Sequence, residues 1–141
     1  MDLAEALEFV RERNQGVLVT LRRDGRPQLS NILYVPDEDD TIRISVTESR
    51  AKTKNLRRDP RASLHVTRDD FFAYVVLEGT VLLSSVAADP HDPVVDSLVD
   101  LYRAAQGEHP DWDEYRQAMV DQGRVLARLS VERAYGMLGA S

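Results

Sequence analysis

The 141-residue chain contains no cysteine and only three histidines. The lack of cysteine excludes disulfides, thiol nucleophiles and thiolate metal sites together. The three histidines, His65, His91 and His109, are scattered, without the short spacing that is typical of metal ligands. We therefore expect a protein without a metal site.

Long apolar runs are missing as well. No stretch approaches the roughly 20 apolar residues of a membrane-spanning helix, so we expect no membrane association. Residues 1–5 lack the basic and then apolar pattern of a signal peptide, which predicts a cytoplasmic protein. The length suits one hydrophobic core, and we expect a single domain over residues 1–141.

Lysine is also scarce, and its placement is informative. Of 18 basic residues only Lys52 and Lys54 are lysines, and both lie within residues 49–61. This segment, called the cationic segment below, holds six basic residues and one acid on a chain of net charge −6. Positive charge concentrated on an acidic protein is typical of an anion site. Ser49 is expected to cap a short helix whose first-turn amides face a phosphate beside Arg50 and Lys52. A solvated basic helix is the alternative interpretation.

The motifs of the common hydrolases are absent. The sequence has no Gly-x-Ser-x-Gly and no His-Glu-x-x-His. The acidic stretches 37–40 and 111–114 are expected to be a solvated loop and a helix cap rather than catalytic carboxylate pairs. A reaction here would therefore depend on a bound cofactor. The acidic total charge argues against nucleic acid as a partner, and a basic helix that contacts nucleic acid is the weakest hypothesis.

Alternation of apolar and polar residues predicts six strands, most clearly over 41–47, where Ile42, Ile44 and Val46 alternate with polar residues. The six predicted strands are 16–21, 27–35, 41–47, 62–67, 71–83 and 125–131. Gly79 is expected to mark a bend or bulge. Helices are predicted after Asp2, after the 89–93 segment and after Asp111. The pattern predicts a mainly β fold, namely a six-stranded antiparallel barrel with peripheral helices.

Three segments together resemble a known family. They are 25–31 (Gly-Arg-Pro-Gln-Leu-Ser-Asn), 50–63 and 111–119. They resemble the coenzyme F420 (deazaflavin)-dependent branch of the pyridoxamine 5′-phosphate oxidase-like family, which has the FMN-binding split β-barrel fold. The resemblance spans nearly the whole chain. The pattern Arg-x-Lys-Thr-x-Asn-Leu-x-x-Asp-Pro at 50–60 is its most specific part.

The resemblance implies a site for coenzyme F420. Positions matching the family's phosphate contacts are Arg50, Lys52 and Thr53, with Ala51 between them and Asn55 close by. The oligoglutamyl tail of this cofactor would account for the further positive charge at Lys54, Arg57 and Arg58. The wall around the deazaflavin ring is implied to be Gln28, Ser30, Asn31, Ser45 and Val46.

The resemblance also implies a homodimer with two sites at the subunit interface. Phe72 and Tyr74 match aromatic residues that reach the site from the partner subunit, and Tyr74 is a candidate proton donor. Relatives often have Trp where Phe72 stands, which predicts a different substrate pocket.

The predicted function is an F420-dependent reductase that transfers hydride to a small conjugated acceptor. An FMN-dependent pyridoxamine phosphate oxidase-like enzyme is one alternative, because FMN also carries a phosphate. A non-catalytic F420-binding protein is the other.

Overall fold

The computed structural model describes residues 1–139 and contains seven strands and four helices in that range. In chain order these are α1 (Leu3–Arg11), β1 (Gln15–Leu21), β2 (Pro27–Leu33), β3 (Val35–Pro36), β4 (Thr41–Thr47), α2 (Ala51–Arg58), β5 (Arg61–Thr67), β6 (Tyr74–Leu83), α3 (Pro93–Gln106), α4 (Trp112–Asp121) and β7 (Arg124–Met137).

The strands form one antiparallel sheet in the order β2-β1-β5-β6-β7-β4-β3. The sheet curls, so that Gln28 and Ser30 of the edge strand β2 line the same cleft as Ser45 of β4. The result is a half-barrel with helices around it, and the predicted mainly β class is confirmed. The opening between β2 and β4 is where the candidate site lies.

The number of strands was predicted wrongly. The expected strand 27–35 is two strands, because the chain leaves the sheet at Tyr34. The Tyr34 side chain is buried, and its hydroxyl donates to the carbonyl oxygen of Val10 at 2.7 Å. Its backbone N–H donates to the carbonyl oxygen of Asn14, the residue directly before β1, at 3.0 Å. This anchor to α1 interrupts the strand and leaves the short β3 to pair with β4.

The bulge predicted at Gly79 is confirmed. The register between β6 and β7 shifts between Glu78 and Gly79. A Cβ atom at Gly79 would overlap the carbonyl oxygen of Ser130 on β7. Glycine is therefore required where these two long strands bend.

The expected start of the fifth strand at residue 71 is wrong. The corresponding strand, β6, begins at Tyr74, and Phe71 and Phe72 lie in the preceding turn. The carboxylate of Asp70 closes this turn by accepting from the backbone N–H of Phe72 and from Nε of Arg68. Phe71 has a φ of +71°, unusual for an aromatic residue, and both phenyl rings are exposed.

The core lies between the inner face of the sheet and α1, with Leu18, Leu64 and Leu77 fully buried. A second apolar cluster joins α3 and α4 to the sheet around Leu98 and Met119.

Aspartate caps begin three of the four helices. Asp2 accepts from the N–H of Ala4, Asp92 from that of Val95 and Asp111 from that of Glu114. The caps predicted at Asp2 and Asp111 are thus confirmed. Over residues 1–139, each helix is too short or too polar to cross a lipid bilayer.

Candidate functional site

A cleft of about 430 Å³ opens where β2, β4, β7 and the start of α2 meet. We call it the cationic cleft. Its walls are Gln28, Ser30, Ser45, Val46, Thr47, Arg50, Ala51, Lys52 and Arg124. The structure thus brings seven of the twelve predicted site residues together around one space.

The alternation along β4 decides which side chains reach the cleft. Ser45 and Thr47 are on its half-exposed face, whereas Val46 points into the core with 1% of its surface exposed. Val46 therefore borders the cleft through its backbone. Gln28 and Ser30 are likewise on the half-buried face of β2.

The expected cap at Ser49 is wrong, since the N-cap residue of α2 is Arg50 and no side chain caps the helix. The backbone N–H of Arg50 donates to the carbonyl of Thr47 at 3.1 Å, which places Ser49 inside a turn. A guanidinium has no acceptor atom and so cannot cap. The first-turn amides of α2 are left without a side-chain acceptor, as an anion site requires.

Three cations surround the cleft: Arg50, Lys52 and Arg124. Within residues 1–139 none of them has a salt-bridge partner. Partial burial and the nearby charges of Arg50 and Arg124 hold the pKa of Lys52 below its ordinary value. Arg124 approaches Ser45, with Nη1 at 3.4 Å from Oγ. A bound anion would relieve this repulsion, and the cleft is electrostatically suited to one.

Part of the cationic segment is neutralised within the chain. Arg57 pairs with Glu48 at 2.8 Å, and Arg61 pairs with Asp59 at 2.8 Å. Arg61 lowers the pKa of Asp59 to about 2. The charge available to a ligand is therefore smaller than the sequence suggests, and it is concentrated at the start of α2.

Thr53 and Asn55 have their side chains behind the cleft. Thr53 is fully buried, and its hydroxyl donates to the carbonyl of Thr47 at 2.7 Å. Nδ2 of Asn55 donates to the hydroxyl of Thr20 at 3.1 Å. These bonds fasten α2 to β4 and β1, so both side chains position the helix.

The other three predicted residues lie outside the cationic cleft of their own chain. Asn31 is exposed on the opposite face of β2 from Gln28 and Ser30. Tyr74 lies on the outer sheet face with its ring 5.6 Å from that of His65. Phe72 is in the turn before β6. Any contact of Phe72 or Tyr74 with this cleft would have to come from another copy of the chain.

A second space of about 410 Å³, called the aromatic compartment, adjoins the cationic cleft and shares Ser45, Lys52 and Arg124 with it. Its other walls come from β2, β3, α3 and α4: Asn31, Ile32, Leu33, Tyr34, Val35, Leu101, Tyr102, Ala105, Gln106, Tyr115 and Met119. Behind it, the rings of Tyr102, His109, Trp112 and Tyr115 pack with centroids 5.0 to 5.7 Å apart.

Sequence analysis missed Arg124 and the residues of α3 and α4 in this compartment. Arg124 reaches the site because β7 pairs with β4 in a register that places it opposite Thr47. The two residues are far apart in sequence, and no local pattern indicates that register. A lone arginine directly after Gly123, at the start of an alternating strand, is the only signal the sequence offers.

Comparison with known proteins gives both a family and a set of similar structures. The family model described as pyridoxamine 5′-phosphate oxidase matches residues 3–138. The conserved hypothetical protein Rv2991 from Mycobacterium tuberculosis is 27% identical with a TM-score of 0.71, over 98% of this chain and 85% of that one. A structure named F420 reductase is 25% identical with a TM-score of 0.62, over 91% of this chain and 94% of that one.

Other solved structures are similar to this chain in fold alone. HutZ, a heme storage protein from Vibrio cholerae, is 19% identical with a TM-score of 0.69, over 99% of this chain and 98% of that one. The fold is thus shared by proteins whose names refer to different ligands, so the ligand has to be argued from the site itself.

Proposed function

The chain belongs to the pyridoxamine 5′-phosphate oxidase family, and we propose that it is an oxidoreductase that uses coenzyme F420 to transfer hydride to a small conjugated acceptor. The observation that carries this proposal is the cationic cleft. Arg50, Lys52 and Arg124 surround it, and the described residues of its wall include no carboxylate, on a chain of net charge −6. The 25% identity to a structure named F420 reductase supports the same choice.

The residues present fit the cofactor's anionic part. Arg50, Lys52, Arg124 and the first-turn amides of α2 would hold its phosphate. Gln28, Ser30 and Ser45 supply neutral hydrogen-bonding groups beside these cations, suitable for the polar edge of a ring. Val46 contributes backbone to the same wall.

When bound, the deazaflavin supplies hydride chemistry. The residues of this chain would orient the ring and the acceptor and exclude water from between them. The aromatic compartment, which shares Lys52 and Arg124 with the cationic cleft, is the space we assign to the acceptor. Its apolar and aromatic walls suit a planar conjugated molecule.

The tyrosines differ in their fitness as proton donors. Burial raises the pKa of Tyr115 to about 12, and its hydroxyl already donates to the carbonyl of Leu98 at 2.9 Å. Tyr102 also lines the aromatic compartment. Tyr74, the donor predicted from sequence, would act only across a subunit interface, because it lies on the outer sheet face of its own chain.

We propose a homodimer formed through that outer face. In the register of the sheet, one row across the face is Asn31, Val17, His65, Val76 and Tyr135. Large apolar side chains on the face or beside it are exposed by half or more: Leu29, Leu33, Phe71, Phe72, Tyr135 and Met137. An apolar sheet face of this kind is typical of an interface, and a second copy would bring Phe72 and Tyr74 near the site.

Two alternatives from the same family are kept. An FMN-dependent enzyme would use the same phosphate site. A non-catalytic F420-binding protein would have the same cleft but would leave the aromatic compartment without an acceptor.

Titration calorimetry with F420 and FMN in parallel tests the proposal. We expect F420 to bind more tightly, with an affinity that falls as salt is raised. Equal binding of both cofactors at all salt concentrations would overturn it. Oxidation of reduced F420 by a panel of enones and quinones then separates an enzyme from a binding protein.

A further inference from the structure

The positive charges of the aromatic compartment all lie at one end of it. Lys52 and Arg124 line the compartment on the side that it shares with the cationic cleft. The other described residues of its wall are neutral, and no carboxylate is among them. A space of about 410 Å³ with apolar and aromatic walls and cations at one end suits a planar ligand that carries a negative charge at one end.

The Arg124 guanidinium is held in position by the protein. Its Nε donates to Oε1 of Gln122 at 2.9 Å, and its Nη1 lies 3.4 Å from Oγ of Ser45. Its Nη2 has no hydrogen-bond partner within residues 1–139. Since a guanidinium carries N–H donors on all three nitrogens, donors remain available to a ligand. Because the side chain is already held, a ligand that binds to it would cost little conformational entropy.

The charge of Arg124 acts on both spaces of the site. In the aromatic compartment, burial raises the pKa of the Tyr115 hydroxyl, and the positive charge of Arg124 opposes this rise. In the cationic cleft, burial, Arg50 and Arg124 together lower the pKa of Lys52. An anion in the aromatic compartment would therefore be attracted to Arg124.

The phosphate of the proposed cofactor leaves positive charge without a partner. This phosphate is a diester, because the tail continues beyond it, and it therefore carries a single negative charge. Arg50, Lys52 and Arg124 surround the cationic cleft, and none of them has a salt-bridge partner within residues 1–139. Positive charge thus remains in excess after the phosphate binds, which is unfavourable for partly buried groups. A second anion beside Arg124 would reduce this excess.

We propose that the acceptor bound in the aromatic compartment is a conjugated carboxylic acid, and that its carboxylate pairs with the Arg124 guanidinium. A planar guanidinium matches a carboxylate through two parallel hydrogen bonds. The conjugated part of the molecule would lie against Tyr102 and Tyr115, on the walls that α3 and α4 contribute. The inference rests on the proposed function for the reaction, but binding of an aromatic carboxylate to this compartment is measurable without the cofactor.

The test compares two probes of the same shape and different charge, 2-naphthoate and its neutral amide, 2-naphthamide. Both are titrated by calorimetry, without added cofactor, into the full-length parent, Arg124→Met and Arg128→Met. Arg128→Met is the matched control, because Arg128 is an exposed arginine of the same strand outside both spaces. We expect the parent to bind naphthoate roughly tenfold more tightly than naphthamide, the effect of one charge-assisted contact. Arg124→Met should abolish this preference without weakening naphthamide, and Arg128→Met should bind both probes as the parent does.

A further variant, Ala105→Trp, shows where the probes bind. Ala105 is an exposed residue of α3 in the wall of the aromatic compartment, so a large side chain there would occupy the compartment without entering the core. We expect this variant to lose binding of both probes and to bind inorganic phosphate as the parent does. Naphthoate that binds equally to Ala105→Trp and to the parent would lie in the cationic cleft, which would overturn the inference.

Turnover gives a second measurement. An aryl enone that bears a carboxylate is compared with the same enone bearing a carboxamide, at saturating reduced F420. We expect Arg124→Met to raise the KM for the carboxylate by roughly tenfold, with kcat little changed, and to leave the KM for the carboxamide as it is in the parent.

The outcomes separate this inference from the proposed function. If the parent binds naphthoate and naphthamide equally, or if Arg128→Met loses as much as Arg124→Met, the carboxylate site is refuted while F420 binding, measured by itself, stands. If F420 does not bind but the preference for naphthoate depends on Arg124, the carboxylate site stands and the proposed cofactor fails.

Discussion

Lys52 is one of three residues that line both the cationic cleft and the aromatic compartment, and it has no salt-bridge partner within the described residues. We expect Lys52→Ala to weaken F420 binding by about tenfold to somewhat over a hundredfold, the equivalent of a lost charge-assisted contact of roughly 1.5 to 3 kcal/mol. Lys54→Ala is the matched control, because it removes the same charge from a more exposed position on the same helix. Lys54→Ala should weaken F420 binding less than Lys52→Ala does, and only for ligands with a long tail.

Calorimetry measures both affinities, and thermal unfolding checks that neither variant is destabilised. A Lys52→Ala protein that binds as the parent does would show that the positive charge has no role in binding.

The depressed pKa of Lys52 predicts a pH dependence of binding. Burial, Arg50 and Arg124 favour the neutral amine in the free protein, and a bound phosphate favours the ammonium. Affinity is therefore full below the lowered pKa of Lys52 in the free protein and falls as the pH rises through that pKa. Arg124→Met removes one of the charges that lower the pKa of Lys52. The F420 affinity of this variant should therefore begin to fall at a higher pH than that of the parent. Titrations over roughly pH 7.5 to 10.5 check this. A fall at the same pH in both proteins would contradict the assigned cause.

Among the elements, the pair β6 and β7 holds the half-barrel together, and its bulge depends on Gly79. We expect Gly79→Ala to destabilise the protein by more than about 3 kcal/mol or to prevent folding, because the new Cβ would overlap the Ser130 carbonyl. Gly25→Ala is the control. Gly25, unlike Gly79, has a positive φ, but nothing lies within 4 Å of its Cβ position. Gly25→Ala should lower the free energy of unfolding, measured in urea, by only about 1 kcal/mol. Equal losses in the two variants would show that the contact with Ser130 is not the cause.

The sequence predicts an element well where its signal is local. Strand β4 has the predicted bounds because its period of two is unbroken, and the aspartate caps of α1 and α4 are where the sequence places them. Boundaries set by distant contacts were missed. Tyr34 interrupts a strand because its hydroxyl donates to the carbonyl oxygen of Val10. The turn at Phe71 depends on the hydrogen bonds that Asp70 accepts from Arg68 and Phe72.

The residues of the candidate site likewise fall into those that the local sequence indicates and those that depend on distant contacts. Arg50, Ala51 and Lys52 are adjacent in sequence, and their charge is visible there. The sequence does not show that Thr53 and Asn55 face inward, since both are polar and belong to the same helix. Arg124 was missed because it joins the site only through the pairing of β4 with β7.

At the scale of the whole molecule, the proposed dimer through the outer sheet face bears on whether one chain forms a complete site. Because Phe72 and Tyr74 lie away from the cationic cleft of their own chain, the proposed shared site requires a second copy. We expect Tyr135→Glu to convert the protein to a monomer, since it places a charge on that face at a side chain that is 51% exposed. The control is Leu82→Glu, at a side chain that is 72% exposed on the far end of β6.

Sedimentation measures the assembly, and calorimetry measures F420 affinity and stoichiometry on the same samples. The monomeric variant should bind the cofactor more weakly than the Leu82→Glu dimer does, because the aromatic residues of the partner are missing. A Tyr135→Glu protein that remains dimeric would show that the interface lies elsewhere. A monomer that binds one full equivalent of F420 with the parent's affinity would show that each chain forms a complete site, with Tyr102 rather than Tyr74 as the tyrosine beside the acceptor.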